Sequence, residues 1–356
     1  MKVVGTIFKI LVIIALIAVI VLIILFGGSS SAPQSFVADE NSQPVTAPAT
    51  DFFALKSKLI SFSSSAASSE SADADLIETC AAAYKLACEN AKSADKMYLF
   101  VNCNTTMFPG TFLEMPVIGN RYILKTGTEY YYTEYSIPGG GFGSLAGMFA
   151  PENTTFALRS YADASSMDYL YSEKSLSPKF ITSENGDVTG IERYWDDPEK
   201  QVPEDKWAKE QPLGIFCDSQ DGEYTATDQN ILSETIKTAK VEYKTSDSGN
   251  YFVLTLELDT DNPLTTERSI DNLRRGANSD DANYTSMVET LEIWENGYFK
   301  YFRSVDEWAM HGKKGGINSR IDYETTFYFD FAHTDPSVYM DFTEVKQNAL
   351  DYNAKR

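Results

Sequence analysis

Over residues 240–244, and again over 252–258, apolar side chains recur at every second position. Val241 and Tyr243 take one side with Lys240, Glu242 and Lys244 on the other, and Phe252, Leu254, Leu256 and Leu258 then share a single side. Successive side chains of an extended strand point to opposite faces, so this period of two excludes a helix, whose apolar stripe recurs every three or four residues. Tyr323, Thr325, Phe327, Phe329 and Phe331 repeat the pattern near the C-terminus. One face of the resulting sheet is apolar and aromatic. With 21 Phe and 21 Tyr in 356 residues, most of the chain has the means to bury a core and is not disordered.

Further strands are expected at Lys96 to Asn104, Arg121 to Thr126, Thr128 to Ile137, Phe156 to Tyr161, Met167 to Ser172, Lys179 to Ser183 and Val188 to Trp195. Gly127 marks a hairpin, and Asn185-Gly186 and Asn296-Gly297 carry the strongest short hairpin signal, because both central residues of a type I′ turn need positive φ. The second Asn-Gly joins Met287–Glu295 to Tyr298–Val305. Strands this closely spaced imply an antiparallel meander, since parallel strands need long crossovers.

A helix is predicted from Ser71 or Asp75 to about Ser93, with Asp75-Leu-Ile-Glu78 at capping-box spacing and a buried stripe of Ile77, Cys80, Tyr84, Cys88 and Ala91. Two shorter helices are expected: Gln229 to Ile236, capped by Thr227-Asp228, and Asn262-Pro263 through Arg275, stopping at Gly276. The stretches 138–155 and 196–225 read as irregular.

Ile10 to Phe26 is an unbroken apolar run of 17 residues, about 25 Å of helix. Val3 to Phe8 lengthens it, and Lys9 can reach the interface. Lys2 and Lys9 precede the run and no charge follows it closely, which places the N-terminus in the cytoplasm and the rest outside, single-pass in the cell membrane. A cleaved secretory signal is the other reading: Ser30-x-Ala32 resembles a cleavage site, but Pro33 follows it and the apolar run is long. Residues 27–70 form a Ser/Ala/Pro-rich linker. Within it the short amphipathic segment 51–62 sets Phe52, Leu55, Leu59 and Phe62 at helical spacing, either to lie on the membrane surface or to dock onto its own domain. The division is therefore 1–9 cytoplasmic tail, 10–26 transmembrane anchor, 27–70 linker, 71–346 extracytoplasmic domain, 347–356 C-terminal tail.

The formal charge is −21, and every acidic residue lies after residue 28, so the domain is acidic and unsuited to nucleic acid.

The order of elements carries a resemblance. A helix ending in Ala91-Lys-Ser-Ala94 leads to a strand, then to Arg121-Tyr-Ile-Leu-Lys-Thr-Gly127 and a Tyr-rich strand. Asn230-Ile-Leu-Ser-Glu-Thr-Ile236, the strands Ala239–Lys244 and Tyr251–Leu258, Pro263–Arg275, and Met287–Trp294, Tyr298–Arg303 and Asp322–Phe331 follow. Over about 70–335 this resembles the LolA/LppX/LprG type of bacterial lipoprotein carrier. The resemblance implies an α+β fold in which a strongly curved antiparallel half-barrel of about 10–11 strands wraps an N-terminal helix and short lid helices around an apolar cavity.

On that expectation the cavity wall is Val241, Tyr243, Phe252, Leu254, Leu256, Leu258, Phe327 and Phe329, each of which is otherwise simple core. Pro138-Gly-Gly-Gly-Phe142-Gly-Ser-Leu145-Ala-Gly-Met148-Phe149 reads as a mobile apolar lid or as a surface loop. The lid candidates are Phe142, Leu145, Met148 and Phe149. No catalytic residue stands out, because the only histidines are His311 and His333 and a Ser or Cys nucleophile needs a base. Gly141-Phe-Gly143-Ser-Leu-Ala146 lacks the strand and helix of a dinucleotide loop, and Asp218/Asp221/Glu223, Asp259/Asp261 and Asp280/Asp281 miss calcium-loop register. No cofactor and no metal are expected.

Cys80 and Cys88, on one helix, lie about 12 Å apart along it, too far to bridge. The remaining pairings are 80–103 with 88–217, or 80–217 with 88–103. A Cys88–Cys103 bridge from helix to strand is the candidate, and buried free thiols are the alternative. The expected function is a tethered, non-catalytic lipid- or lipoprotein-binding module with a monomeric exterior domain. The competing expectation is a scaffold or sensor domain with a solid core that binds a protein partner.

Overall fold

The computed structural model describes residues 52–64, 71–109, 115–138, 156–163, 166–176, 179–182, 188–192, 231–266, 270, 273–274, 280–310, 317–329 and 342–354. Two helices come first, α1 (Phe52–Ser64) and α2 (Ala74–Ser93). β1 (Lys96–Pro109), β2 (Met115–Thr126), β3 (Glu129–Pro138), β4 (Phe156–Asp163) and β5 (Ser166–Leu176) follow, with β6 (Lys179–Thr182) and β7 (Val188–Glu192) forming a separate hairpin. The second half holds β8 (Ile236–Ser246), β9 (Gly249–Leu258), the short α3 (Pro263–Thr266), β10 (Asn283–Trp294), β11 (Phe299–Met310), β12 (Ile317–Phe329) and α4 (Phe342–Ala354).

Ten strands form one curved, unclosed antiparallel sheet in the order β5-β4-β3-β2-β1-β12-β11-β10-β9-β8. Two meanders, β1 to β5 and β8 to β12, are thus zipped together along β1 and β12, where Leu99 faces Phe327 and Val101 faces Thr325. This α+β arrangement matches the expected fold class, with ten strands in the main sheet and two outside it.

The turn chemistry is local and legible. Gly127 takes φ +60° between β2 and β3, and Gly297 takes φ +84° between β10 and β11, the left-handed values for which glycine is favoured. The other Asn-Gly pair, at 185–186, lies outside the described residues.

α2 follows the predicted stripe: Ile77, Cys80, Tyr84, Cys88 and Ala91 are all buried against the sheet. Its cap is Asp73 rather than Asp75, because the Asp73 carboxylate accepts from the backbone N–H groups of Asp75 (2.9 Å) and Leu76 (3.1 Å), two donors the first turn leaves free. At the other end the buried Lys125 Nζ donates to Ala94 O at 2.5 Å, putting a cation on the helix C-terminus.

Two expectations need correction. The segment predicted as a helix from Gln229 to Ile236 is a turn at 231–235 running into β8, because the Thr235 hydroxyl trades hydrogen bonds with the backbone N–H and C=O of Leu232 and closes the chain locally. The predicted helix 263–275, by contrast, is helical at each of its described residues, Pro263–Thr266, Ile270, Leu273 and Arg274, and is capped as expected by Asn262, whose Oδ1 accepts from Leu264 N. Residues 347–354, read as tail, belong to α4, which lays Val345 and Ala349 against β4 and β5. Arg159–Glu344 (3.2 Å) and a Lys346–Glu129 ion pair tie it down.

Candidate functional site

Residues paired across an antiparallel ladder share a face, so the register identifies what lines the side of the sheet that α2 covers. One row runs Val241, Leu254, Leu291, Phe302, Thr325, Val101 from β8 to β1. The next runs Leu256, Glu289, Ser304, Tyr323.

Of the predicted wall, Val241, Phe252, Leu254, Leu256, Leu258, Phe327 and Phe329 all fall on this face and are buried in one core with α1 and α2. Phe299 and Phe327 stack at 4.8 Å, and Phe327 and Phe329 at 6.3 Å. Tyr243 shares the face, opposite Phe252, but is less covered. It lies at the end of β8, is 37% exposed, rests its ring on Phe252 at 5.1 Å and donates its hydroxyl to Glu295.

The cover is partly α1. Phe52 and Leu59 are completely buried, Leu55 and Phe62 pack beside them, and Phe52 meets Phe252 with ring centroids 6.5 Å apart. Of the two readings of segment 51–62, the helix therefore docks on its own domain. Lys56 reaches Glu295 at 3.1 Å and Lys58 reaches Asp75 at 3.0 Å, while Phe53 and Ile60 remain exposed. Asn90 Nδ2 on α2 donates to Gly297 O at 2.8 Å, pinning the β10–β11 turn against the helices.

Farther along the same face the lining turns polar, which the sequence reading missed. Glu289 on β10 is fully buried, and on β11 Ser304 is fully buried and Asp306 nearly so. The Ser304 hydroxyl lies 3.1 Å from Glu289 Oε1 and 2.9 Å from Asp306 Oδ1. A hydroxyl has one proton to donate, so one carboxyl must carry its own. Burial, reinforced by the Asp306 charge, raises Glu289 well above the ordinary carboxylate range, and burial pushes Asp306 up to about 6. The two carboxyls and the hydroxyl therefore share one extra proton, and the pair carries one negative charge rather than two. Glu289 Oε2 has no hydrogen-bond partner among the described residues, nor has the indole Nε1 of Trp308, two residues beyond Asp306 on the same face. The available signal was Met287-x-Glu289-x-Leu291-x-Ile293: one acid on the apolar side of an alternating strand.

The lid candidates Phe142, Leu145, Met148 and Phe149 lie outside the described residues, as do Phe331, His311, His333, Gly141–Ala146 and Asp218–Glu223. Cys80 is a buried free thiol that burial pushes up to about 12, and Cys88 is buried two turns along the same stripe. The side chains of Cys103 and Cys217, and with them the Cys88–Cys103 bridge, lie outside the description. Asp259 serves its own turn, accepting from Asp261 N at 3.1 Å. Among the described residues no cluster of three or more His, Cys, Asp or Glu could hold a metal ion, and no helix is long and apolar enough to cross a membrane. The run Ile10–Phe26 is not among them.

No protein-family model matches the chain, and no curated protein does. Among solved structures it is similar to lipovitellin, in a structure of lipid–protein interactions in that protein, at 10% identity and a TM-score of 0.29 over 68% of this chain. The chain spans about a quarter of lipovitellin's length, covering 26% of it. It is also similar to a LolA superfamily protein from Nitrosomonas europaea (9% identity, TM-score 0.18, 71% of this chain and 94% of that one). A third likeness is to MucB in complex with periplasmic MucA (9% identity, TM-score 0.11, 68% and 98%).

Proposed function

We propose that this chain is a membrane-tethered, extracytoplasmic, non-catalytic module that holds a lipid or the acyl part of a lipoprotein between its curved sheet and its helices. The observation that carries this reading is the apolar stretch on one face of an unclosed sheet, from Val241 across Leu254 and Leu291 to Phe327, of which a separate short helix, α1, forms part of the cover. Two fully buried side chains, Phe52 and Leu59, and two ion pairs hold α1 in place. Lifting it bares Phe252 and its neighbours, an apolar surface that binds alkyl chains without any catalytic group. The apolar run Ile10–Phe26, just upstream, would hold the domain at the bilayer where such ligands reside.

A scaffold with a solid core is the second reading. Seven of the eight wall residues are buried to within 0–5% of their surface, which favours it.

The full-length chain, purified from cells and exchanged exhaustively into synthetic detergent, should release close to one lipid per chain on organic extraction and mass spectrometry. A chain that carries none, and also fails to bind an apolar fluorescent dye, refutes the carrier and leaves the scaffold.

A further inference from the structure

The buried polar strip is out of place in a face that otherwise serves only to be apolar. Glu289 lies between Leu256 and Ser304 across the ladder, with Met287 and Leu291 beside it on its own strand and no cation paired with it among the described residues. An isolated buried carboxyl costs stability, and so does an indole N–H left without an acceptor. Leucine at 289 and phenylalanine at 308 would fill those positions at no such cost. Phe302, Ile321 and Tyr323, on the same face, are only half-buried, so this end of the sheet is less tightly covered than the wall under α1.

The unmet chemistry is directional. With the shared carboxyl proton and the Ser304 proton both spent between Glu289, Ser304 and Asp306, the remaining carboxyl oxygens accept, so a group bound there must donate. The pair's remaining negative charge favours a cation. Trp308 Nε1 can only donate, so what lies beside that cation must accept. Two residues along a strand separate Asp306 from Trp308 by about 7 Å, close enough for one head group to meet both, and the indole face favours a cation as well.

Building on the lipid-binding reading, we propose that Glu289, Ser304, Asp306 and Trp308 form a head-group subsite for an amphiphile that carries an ammonium nitrogen next to an acceptor oxygen, as a zwitterionic aminophospholipid does. The ammonium donates to Asp306 and to Glu289 Oε2. A phosphate or ester oxygen accepts from Trp308 Nε1. The acyl chains then run along Phe302 and Leu291 toward Leu254.

The test uses the full-length chain held in an amphipathic polymer, with three probes: a short-chain phosphoethanolamine lipid, a phosphoglycerol lipid with the same chains, and free phosphoethanolamine. The first should bind at least about tenfold more tightly than the second, the difference that one charge-assisted hydrogen bond supplies, and the third should not bind measurably. Asp306→Asn and Glu289→Gln should abolish the preference, and Trp308→Phe should weaken the first probe, while binding of an apolar dye stays unchanged and certifies the fold. Equal affinity for the two lipids with dye binding intact overturns the subsite and leaves the lipid-binding reading standing. Free phosphoethanolamine binding as tightly as the lipid overturns the amphiphile assignment. Failure of both lipids and the dye overturns the lipid-binding reading itself.

Discussion

Gly297 is where three parts of the chain meet, and replacing it by alanine tests how α1 is held. Its φ of +84° is a conformation L-residues adopt at a cost of about 1–2 kcal/mol. A Cβ added there would lie 2.9 Å from Asn90 Nδ2 and 2.9 Å from Phe52 Cγ. Neither can give way easily, since Asn90 is hydrogen-bonded to Gly297 O and Phe52 is only 1% exposed. Overpacking of this kind costs about 1–3 kcal/mol, so Gly297→Ala should destabilise the domain by about 2–5 kcal/mol in all. Phe52→Ala alone should cost about 3–5 kcal/mol, but it also removes the obstacle. In the double variant only the backbone strain and the Asn90 contact of Gly297→Ala should remain, giving a favourable coupling of roughly 1–2 kcal/mol. Urea unfolding of the four proteins in one detergent measures it, and trypsin cleavage at Lys56 or Lys58 reports whether α1 has come loose. A coupling below about 0.5 kcal/mol, the additivity expected of independent sites, would refute the claim that the turn seats α1 through Phe52.

The buried carboxyl pair predicts a pH dependence of definite sign. Asp306 is raised from 3.8 to about 6 by burial, so the folded state holds its proton more tightly than the unfolded chain and stability falls as pH rises through that window. At 1.36 kcal/mol per unit the fall is about 3 kcal/mol, and Glu289 extends it to higher pH. Comparing unfolding of the natural chain and Asp306→Asn at pH 4, 5, 6 and 7 isolates it, because carboxylates held low by cation partners, such as Asp322 beside Arg303, cancel in the difference. A difference that stays flat contradicts the burial of Asp306. Cys80, fully buried and pushed up to about 12, should resist a thiol reagent at pH 8 in the folded protein and react once denaturant is added. Mass mapping that found it modified at the rate of an exposed thiol would place α2 wrongly.

Much of this was legible in the sequence because it rests on local geometry. The period of two in 240–244, 252–258 and 323–329, the α2 stripe from Ile77 to Ala91 and the glycines at 127 and 297 depend on how neighbouring residues point, and that is encoded within a few positions. The turn at 231–235 was not legible, because helix and turn use the same residues there and a single Thr235 hydroxyl decides between them. α4 was missed for another reason: its apolar content is low, and what holds Lys346 and Glu344 is Glu129 and Arg159, nearly two hundred residues away or more.

The sequence by itself determined that one side of an antiparallel sheet would be apolar and that a helix would lie against it, since side-chain direction follows from backbone period. Only the tertiary structure decided that β1 and β12 join two meanders into one sheet, that α1 belongs to the folded core, and that Glu289, Ser304 and Asp306 converge. The first two are pairings between distant segments, settled by which surfaces exclude water together; the third depends on the register and cover of the β10–β11 hairpin, which its Asn-Gly turn alone does not fix.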